Sequence, residues 1–221
     1  MSLTNFFTRI IKLAIGIVLY AIGISLSVNA NIGLAPWDSL SMGISLNTKI
    51  SFGTAGILIG FAIIIVDLFL KEKIGIGTLS NMVFIGLLIN VFEDLKVIPV
   101  ANNLYVGIIM LLTGQTIICL GTYFYISAAF GAGPRDSFMI ALNKIMPNVP
   151  IGVIRSSIEG TVLFVGWFLG APVGIGTIIS VFGMGIIIQM VFRLFKFDIK
   201  TVEHQSVKDL FVNLQLSFVK K

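Results

Sequence analysis

Two short segments carry the most suggestive chemistry in the chain. Gly33–Ser39 and Gly131–Ser137 share the pattern Gly-x-x-Pro-x-Asp-Ser. Proline suits the first turn of a helix, where its missing N–H costs nothing. An aspartate two residues later complements the positive end of the helix dipole. One reading of both segments is therefore a well-capped helix start. The other is a half-helix that enters a membrane and lines a solute path, because irregular backbone at depth is tolerated only beside protein or a cavity. Asp38, Ser41 and Ser45 recur at helical spacing as a polar stripe opposite Trp37, Leu40 and Ile44. In the second copy Arg135 stands where the first has Trp37, next to Asp136.

A third constellation is Arg155-Ser-Ser-Ile-Glu159, whose four-residue spacing puts both charges on one helix face. Glu159 lies about two turns, on the order of 12 Å, inside its apolar run. Charges at such depth mark a pathway, a proton site or an internal pair. Asp67 is near the end of its run, beside Lys71 and Lys73, and reads as a side chain reaching back to the interface. Asn90 and Gln189 hold matching places near the ends of two runs. They are candidates to hydrogen-bond across a helix interface or to a ligand. Gly75-Ile-Gly-Thr78 and Gly174-Ile-Gly-Thr177 lack the lysine of a phosphate-binding loop, and tight turning with close helix approach explains them better.

Scarce residue types narrow the chemistry further. The one cysteine, Cys119, excludes an intrachain disulfide, and the one histidine, His204, lies near the C-terminus. A zinc site needs several converging ligands and a haem needs axial ones, so no metal and no cofactor is expected. An intramembrane enzyme would need a nucleophile and base in contact. No histidine lies in an apolar run, and no enzymatic activity is expected.

The elements that must hold these residues follow from composition. Of 221 residues, 57% are hydrophobic and 11% charged, and the mean hydropathy is +1.04. Soluble domains carry about 25% charged residues, so this supply cannot build a water-facing surface. The fold class expected is all-α, a polytopic membrane protein. Apolar runs at Ile10–Ala30, Phe52–Leu70, Ile74–Val91, Leu104–Phe130, Ile151–Leu169 and Val173–Phe192 each approach the roughly 20 residues of a membrane span. The basic N-terminus leads into an uncleaved first span rather than a signal peptide. The segments Leu34–Asn47 and Ala132–Asn143 are too short to cross and read as half-helices.

The same landmarks reveal an internal repeat. At an offset of 98, Gly16, Gly23, Ala30, Gly33, Pro36, Asp38 and Ser39 match Gly114, Gly121, Ala128, Gly131, Pro134, Asp136 and Ser137. At 99, Gly53, Gly75–Thr78 and Gly86 match Gly152, Gly174–Thr177 and Gly185. Arg155 and Glu159 then fall opposite Gly56 and Gly60, so the charges break the symmetry. Two repeats of three spans, about 10–92 and 104–192, place the halves in opposite orientations. With the N-terminus in the cytoplasm, thirteen Lys and Arg lie inside, while only Lys49 and Lys96 lie outside. The +5 charge is thus a matter of topology and not of nucleic-acid binding. Residues 1–196 make one membrane domain. Beyond them, 197–221 form a cytoplasmic tail whose Leu210, Phe211, Leu214, Leu216 and Phe218 suggest an amphipathic helix.

At Ile32–Asp38, Gly131–Asp136, Arg155-x-x-x-Glu159 and Gly174–Thr177 the chain resembles the YczE/YyaS/YitT-type bacterial integral membrane proteins, most closely the YczE branch. The resemblance covers about residues 10–195. It implies a bacterial plasma-membrane protein and carries over neither a substrate nor a catalytic residue.

Inverted repeats with half-crossing segments are a transporter architecture. The leading expectation is a small secondary transporter or facilitator of a small polar solute, with a cavity between the halves. Asp38, Trp37, Arg135, Asp136, Arg155, Glu159, Asn90 and Gln189 are its candidate binding or coupling residues. The alternative is a membrane accessory or regulatory protein without transport activity. A polar cavity between the halves favours the first, and a bundle without one favours the second.

Overall fold

The computed structural model describes residues 3–198 and residue 202. The tail helix expected over 197–221 falls almost entirely outside the described residues, as does His204. All elements among the described residues are helical: α1 (Leu3–Asn29), α2 (Pro36–Asn47), α3 (Phe52–Phe69), α4 (Ile76–Asp94), α5 (Leu104–Ser127), α6 (Pro134–Ile145), α7 (Ile151–Phe168) and α8 (Ile175–Leu194). Six are long and apolar enough to cross a membrane. The other two, α2 and α6, have 12 residues each, about 18 Å at 1.5 Å per residue, and do not reach across.

The proline at the first position of α2 and of α6 sets where each half-helix begins. Just before each, the chain turns through left-handed backbone. Gly33 has φ +114° and Gly131 has φ +127°, a region that side chains with a Cβ rarely enter. A Cβ at Gly33 would also lie 2.5 Å from the Gly174 nitrogen, so conformation and space both demand glycine there.

At the centre α1 and α5 pack antiparallel. Gly16 faces Gly121, and Gly23 faces Gly114, where an added Cβ would come within 2.9 Å of the opposing backbone. Small residues let backbones approach this closely, and dispersion then holds helices together in lipid, where tails compete for apolar contact. Around this pair α4 packs on α1, and α8 packs on α5. Arg9 closes one end of the pair. Its Nε donates to the Ala128 carbonyl at 2.6 Å and its Nη2 to the Ala129 carbonyl at 2.9 Å, with the guanidinium 4.5 Å from the centre of the Phe130 ring. A cation there meets the negative end of the α5 dipole.

The last helix of each half is clasped to the breakpoint of the other. Gly77 N–H donates to the Phe130 carbonyl and Gly176 N–H to the Ile32 carbonyl, both at 2.8 Å. Thr78 and Thr177 each accept from the glycine three residues earlier, closing the helix start. The Gly-Ile-Gly-Thr segments therefore serve turning and close approach.

These contacts define two faces. The terminal face carries the start of α1, the end of α5, α6 and the start of α7. The opposite face carries α2, the start of α3 and the end of α7. Asn47 Nδ2 bonds the Leu169 carbonyl there at 2.7 Å, and Lys144 pairs with Glu72 on the terminal face. Asp67 corrects a sequence expectation. It does not reach the interface: it is 0% exposed, and neither carboxylate oxygen has a hydrogen-bond partner.

Candidate functional site

A cavity of about 190 Å³ lies between the halves. Its walls come from the starts of both half-helices, from α1, α3, α4 and α5, and from α7 and α8. Six of the eight candidate residues meet in it: Trp37 and Asp38 from α2, Arg135 and Asp136 from α6, and Arg155 and Glu159 from α7. The two half-helix starts point at one another. The Arg135 guanidinium carbon sits 5.0 Å from the centre of the Trp37 ring, a cation–π distance. These two residues occupy matching positions in the repeat.

The charges differ in how they are satisfied. Arg155 Nε donates to Glu159 Oε1 at 2.8 Å, and the two side chains are 51% and 20% exposed. Asp136 Oδ2 accepts from the Tyr125 hydroxyl at 2.8 Å. Asp38 is only 5% exposed and accepts no hydrogen bond. It does not cap its own helix, since α2 has no side-chain cap. Burial raises its carboxyl above the usual carboxylate range, and the Arg135 guanidinium pulls in the other direction. No carboxylate among the described residues reaches ion-pairing distance of Arg135.

The remaining two candidates are not brought to the cavity. Asn90 sits in the seam between α3 and α4. Its Oδ1 accepts from Gly53 N–H at 3.0 Å, and its Nδ2 donates to Thr54 Oγ1 at 3.0 Å. Gln189, its counterpart on α8, is exposed. The two positions match in sequence but not in surroundings. In the first half Gly53 and Gly86 press together, and a Cβ on Gly86 would lie 2.5 Å from the Gly53 carbonyl oxygen. In the second half the matching Gly152 and Gly185 have nothing within 4 Å of an added Cβ. α3 packs along α4, and α7 has no comparable packing on α8. The cavity is thus shut at the α3–α4 seam on the opposite face and parted at the α7–α8 seam on the terminal face.

Sequence reasoning passed over Gln115, Ser180, Tyr125 and Asn81, all of which line the cavity. Gln115 Nε2 donates to Ser180 Oγ at 2.8 Å, while Gln115 Oε1 has no partner and the residue is 2% exposed. A glutamine in the middle of an apolar span was the signal available. No group of three or more metal-ligating side chains occurs among the described residues.

The comparisons with known proteins agree with this membrane architecture. An uncharacterised protein of Haemophilus influenzae is 34% identical over 168 residues, 76% of each chain. The uncharacterised membrane protein YczE of Bacillus subtilis is 32% identical over 176 residues, 79% of this chain and 80% of its own. The uncharacterised protein YyaS of Bacillus subtilis is 27% identical over 175 residues, 76% and 84% of the two chains. No solved structure matches. Residues 7–193 match the family of unknown function DUF6198, and this helical membrane protein belongs to that family.

Proposed function

We propose that this protein moves a small polar solute across the bacterial plasma membrane, with both termini in the cytoplasm. In this reading the two halves are inverted repeats that alternate about a central cavity. One observation carries the reading: the cavity is bounded by two helix seams of matching sequence pattern, one zipped and one parted. In a molecule built from inverted halves, exchanging the two seams converts a cavity open to one face into a cavity open to the other. Both seams carry the glycine pair that the closed form uses, Gly53 with Gly86 in the first and Gly152 with Gly185 in the second. A solute favours whichever seam arrangement completes its contacts, and it shifts the population accordingly. The exposed Arg155–Glu159 pair lies at the parted end, on the terminal face, so the form described here is open to the cytoplasm.

The test has two arms. Spin labels at Val153 on α7 and Ile186 on α8, in nanodiscs, report the width of the second seam. Transport requires two distance populations whose ratio changes with solute. In parallel, proteoliposomes are incubated with a bacterial metabolite extract and their contents read by mass spectrometry. Retention of a small polar solute above the level of empty vesicles supports the reading. A single fixed distance would end it in favour of an accessory role.

A further inference from the structure

We propose that the solute is a small zwitterion, its ammonium group seated at Asp38 and its carboxylate at Arg135. This rests on the reading of the cavity as a solute site and names the class that the site fits.

The charges that line the cavity are not equally satisfied. Five ionisable side chains of high charge line it: Asp38, Arg135, Asp136, Arg155 and Glu159. Arg155 and Glu159 are paired through one contact, Nε to Oε1, which offsets the charge of each. Asp136 is held by the Tyr125 hydroxyl. What remains is one carboxylate that accepts no hydrogen bond and one guanidinium with no anion. Burying a carboxylate without partners is costly, and a cation brought into contact with it removes that cost. The guanidinium is spared part of its cost by the Trp37 ring, but its five N–H donors remain free for a carboxylate.

Two further groups fit the same ligand. The N-termini of α2 and α6 both open into the cavity through Pro36 and Pro134, and each favours negative charge. The uncharged lining is mixed: Ile24, Ile85, Ile118 and Met184 are apolar, while Ser27, Ser41, Asn81 and Ser180 offer hydroxyl and amide groups. A volume of about 190 Å³ lies below the roughly 300–1,000 Å³ of drug-sized sites. That is the scale of an amino acid with a small or aliphatic side chain.

The experiment uses the full chain in nanodiscs and measures its melting temperature with each of the twenty protein L-amino acids in turn, at millimolar concentration. Any that stabilises is compared with its decarboxylated amine and its deaminated acid. At least one amino acid should stabilise, and each one-charge analogue should bind about tenfold more weakly or worse. Asp38→Asn should reduce the amino acid to the affinity of its acid analogue, and Asp38→Glu should restore part of the difference. If Asp38→Asn does not fold, the analogue series decides alone. An acid or an amine that binds as tightly as the zwitterion overturns the proposal, and so does a panel with no stabilising member. If the α7–α8 distance switches and no zwitterion binds, the ligand class is wrong and transport stands. If a zwitterion binds and the seam never moves, this site stands and transport falls.

Discussion

The α3–α4 seam and the α7–α8 seam are made from the same pattern of residues and end in different states. Each pairs an early glycine of one span with a mid-span glycine of the next, and each has an amide side chain one turn further on. In the first, Asn90 bonds the backbone and side chain of α3, and the glycines touch. In the second, the glycines face open space and Gln189 is exposed. The half-helices show the same inequality, for α2 is packed more extensively on α7 than α6 is on α3. Gly166 of α7 lies against the Ser39–Leu40 backbone of α2, while its counterpart on α3 is the buried Asp67. The lesson is that matching residues do not make matching contacts: the α3–α4 seam is closed and the α7–α8 seam is not.

The sharpest way to break this comparison is to enlarge the matching glycines. Gly86→Leu drives a side chain into the α3 backbone and should destabilise the protein by about 1–3 kcal/mol or more, read as a fall in melting temperature. Gly185→Leu meets nothing in the form described here. It should fold with a melting temperature near that of the parent protein and yet abolish solute retention in proteoliposomes, because the second seam no longer closes. Equal melting temperatures for the two variants would show that the seams are not in different states.

The amides give a smaller contrast. Asn90→Leu leaves the Gly53 N–H without its partner, a loss of roughly 1–3 kcal/mol for a buried donor. Gln189→Leu should change stability by less than about 0.5 kcal/mol, as for other exposed positions. Chemical denaturation in the same detergent compares them directly.

The α7 charges come next. An exposed pair contributes about 0–1 kcal/mol, so the Arg155→Met, Glu159→Leu double variant should fold. Loss of solute retention in that folded variant would give the pair a part in the mechanism, and that is the outcome expected. Retention at the parent level would leave it as scaffold. Glu159→Gln alone separates charge from shape, and should remove any pH dependence of uptake that Glu159 supplies. The smallest perturbation is topological. Single cysteines at Lys49 and Lys96 should label from outside the cell, and those at Lys71 and Lys144 from inside, in a Cys119→Ser background. Labelling of the Lys49 and Lys71 positions from one side would refute the orientation.

Much of this was legible in the residues. Composition and run length gave the spans, and Pro36 and Pro134 marked the half-helix starts where they occur. The doubled Pro-x-Asp pattern led to four of the residues that line the cavity, and the depth of Glu159 led to two more. Asn90 and Gln189 hold matching places in the sequence, and the difference between them is tertiary. Nothing within either span reports whether its neighbour has closed upon it. Asp67 was misjudged for a related reason. Its distance from the end of the span suggested the interface, whereas burial depends on neighbouring helices that hydropathy does not describe. Gln115 went unremarked because a single polar residue in an apolar run has no periodicity to announce it.

The crossed clasps have a consequence for the birth of the molecule. Ile32 waits for Gly176, and the backbone of α2 waits for Gly166. A ribosome has made three-quarters of the chain before the first half-helix meets the surfaces that hold it. Until then Asp38 and its loop must wait with the translocation machinery or at the lipid headgroups. A chain ended after α4 should therefore leave a cysteine at Ser39 open to aqueous reagents, although that position is sealed in the finished protein. Two halves that read as independent copies are, in the order of their making, a single unit that locks only as α8 arrives.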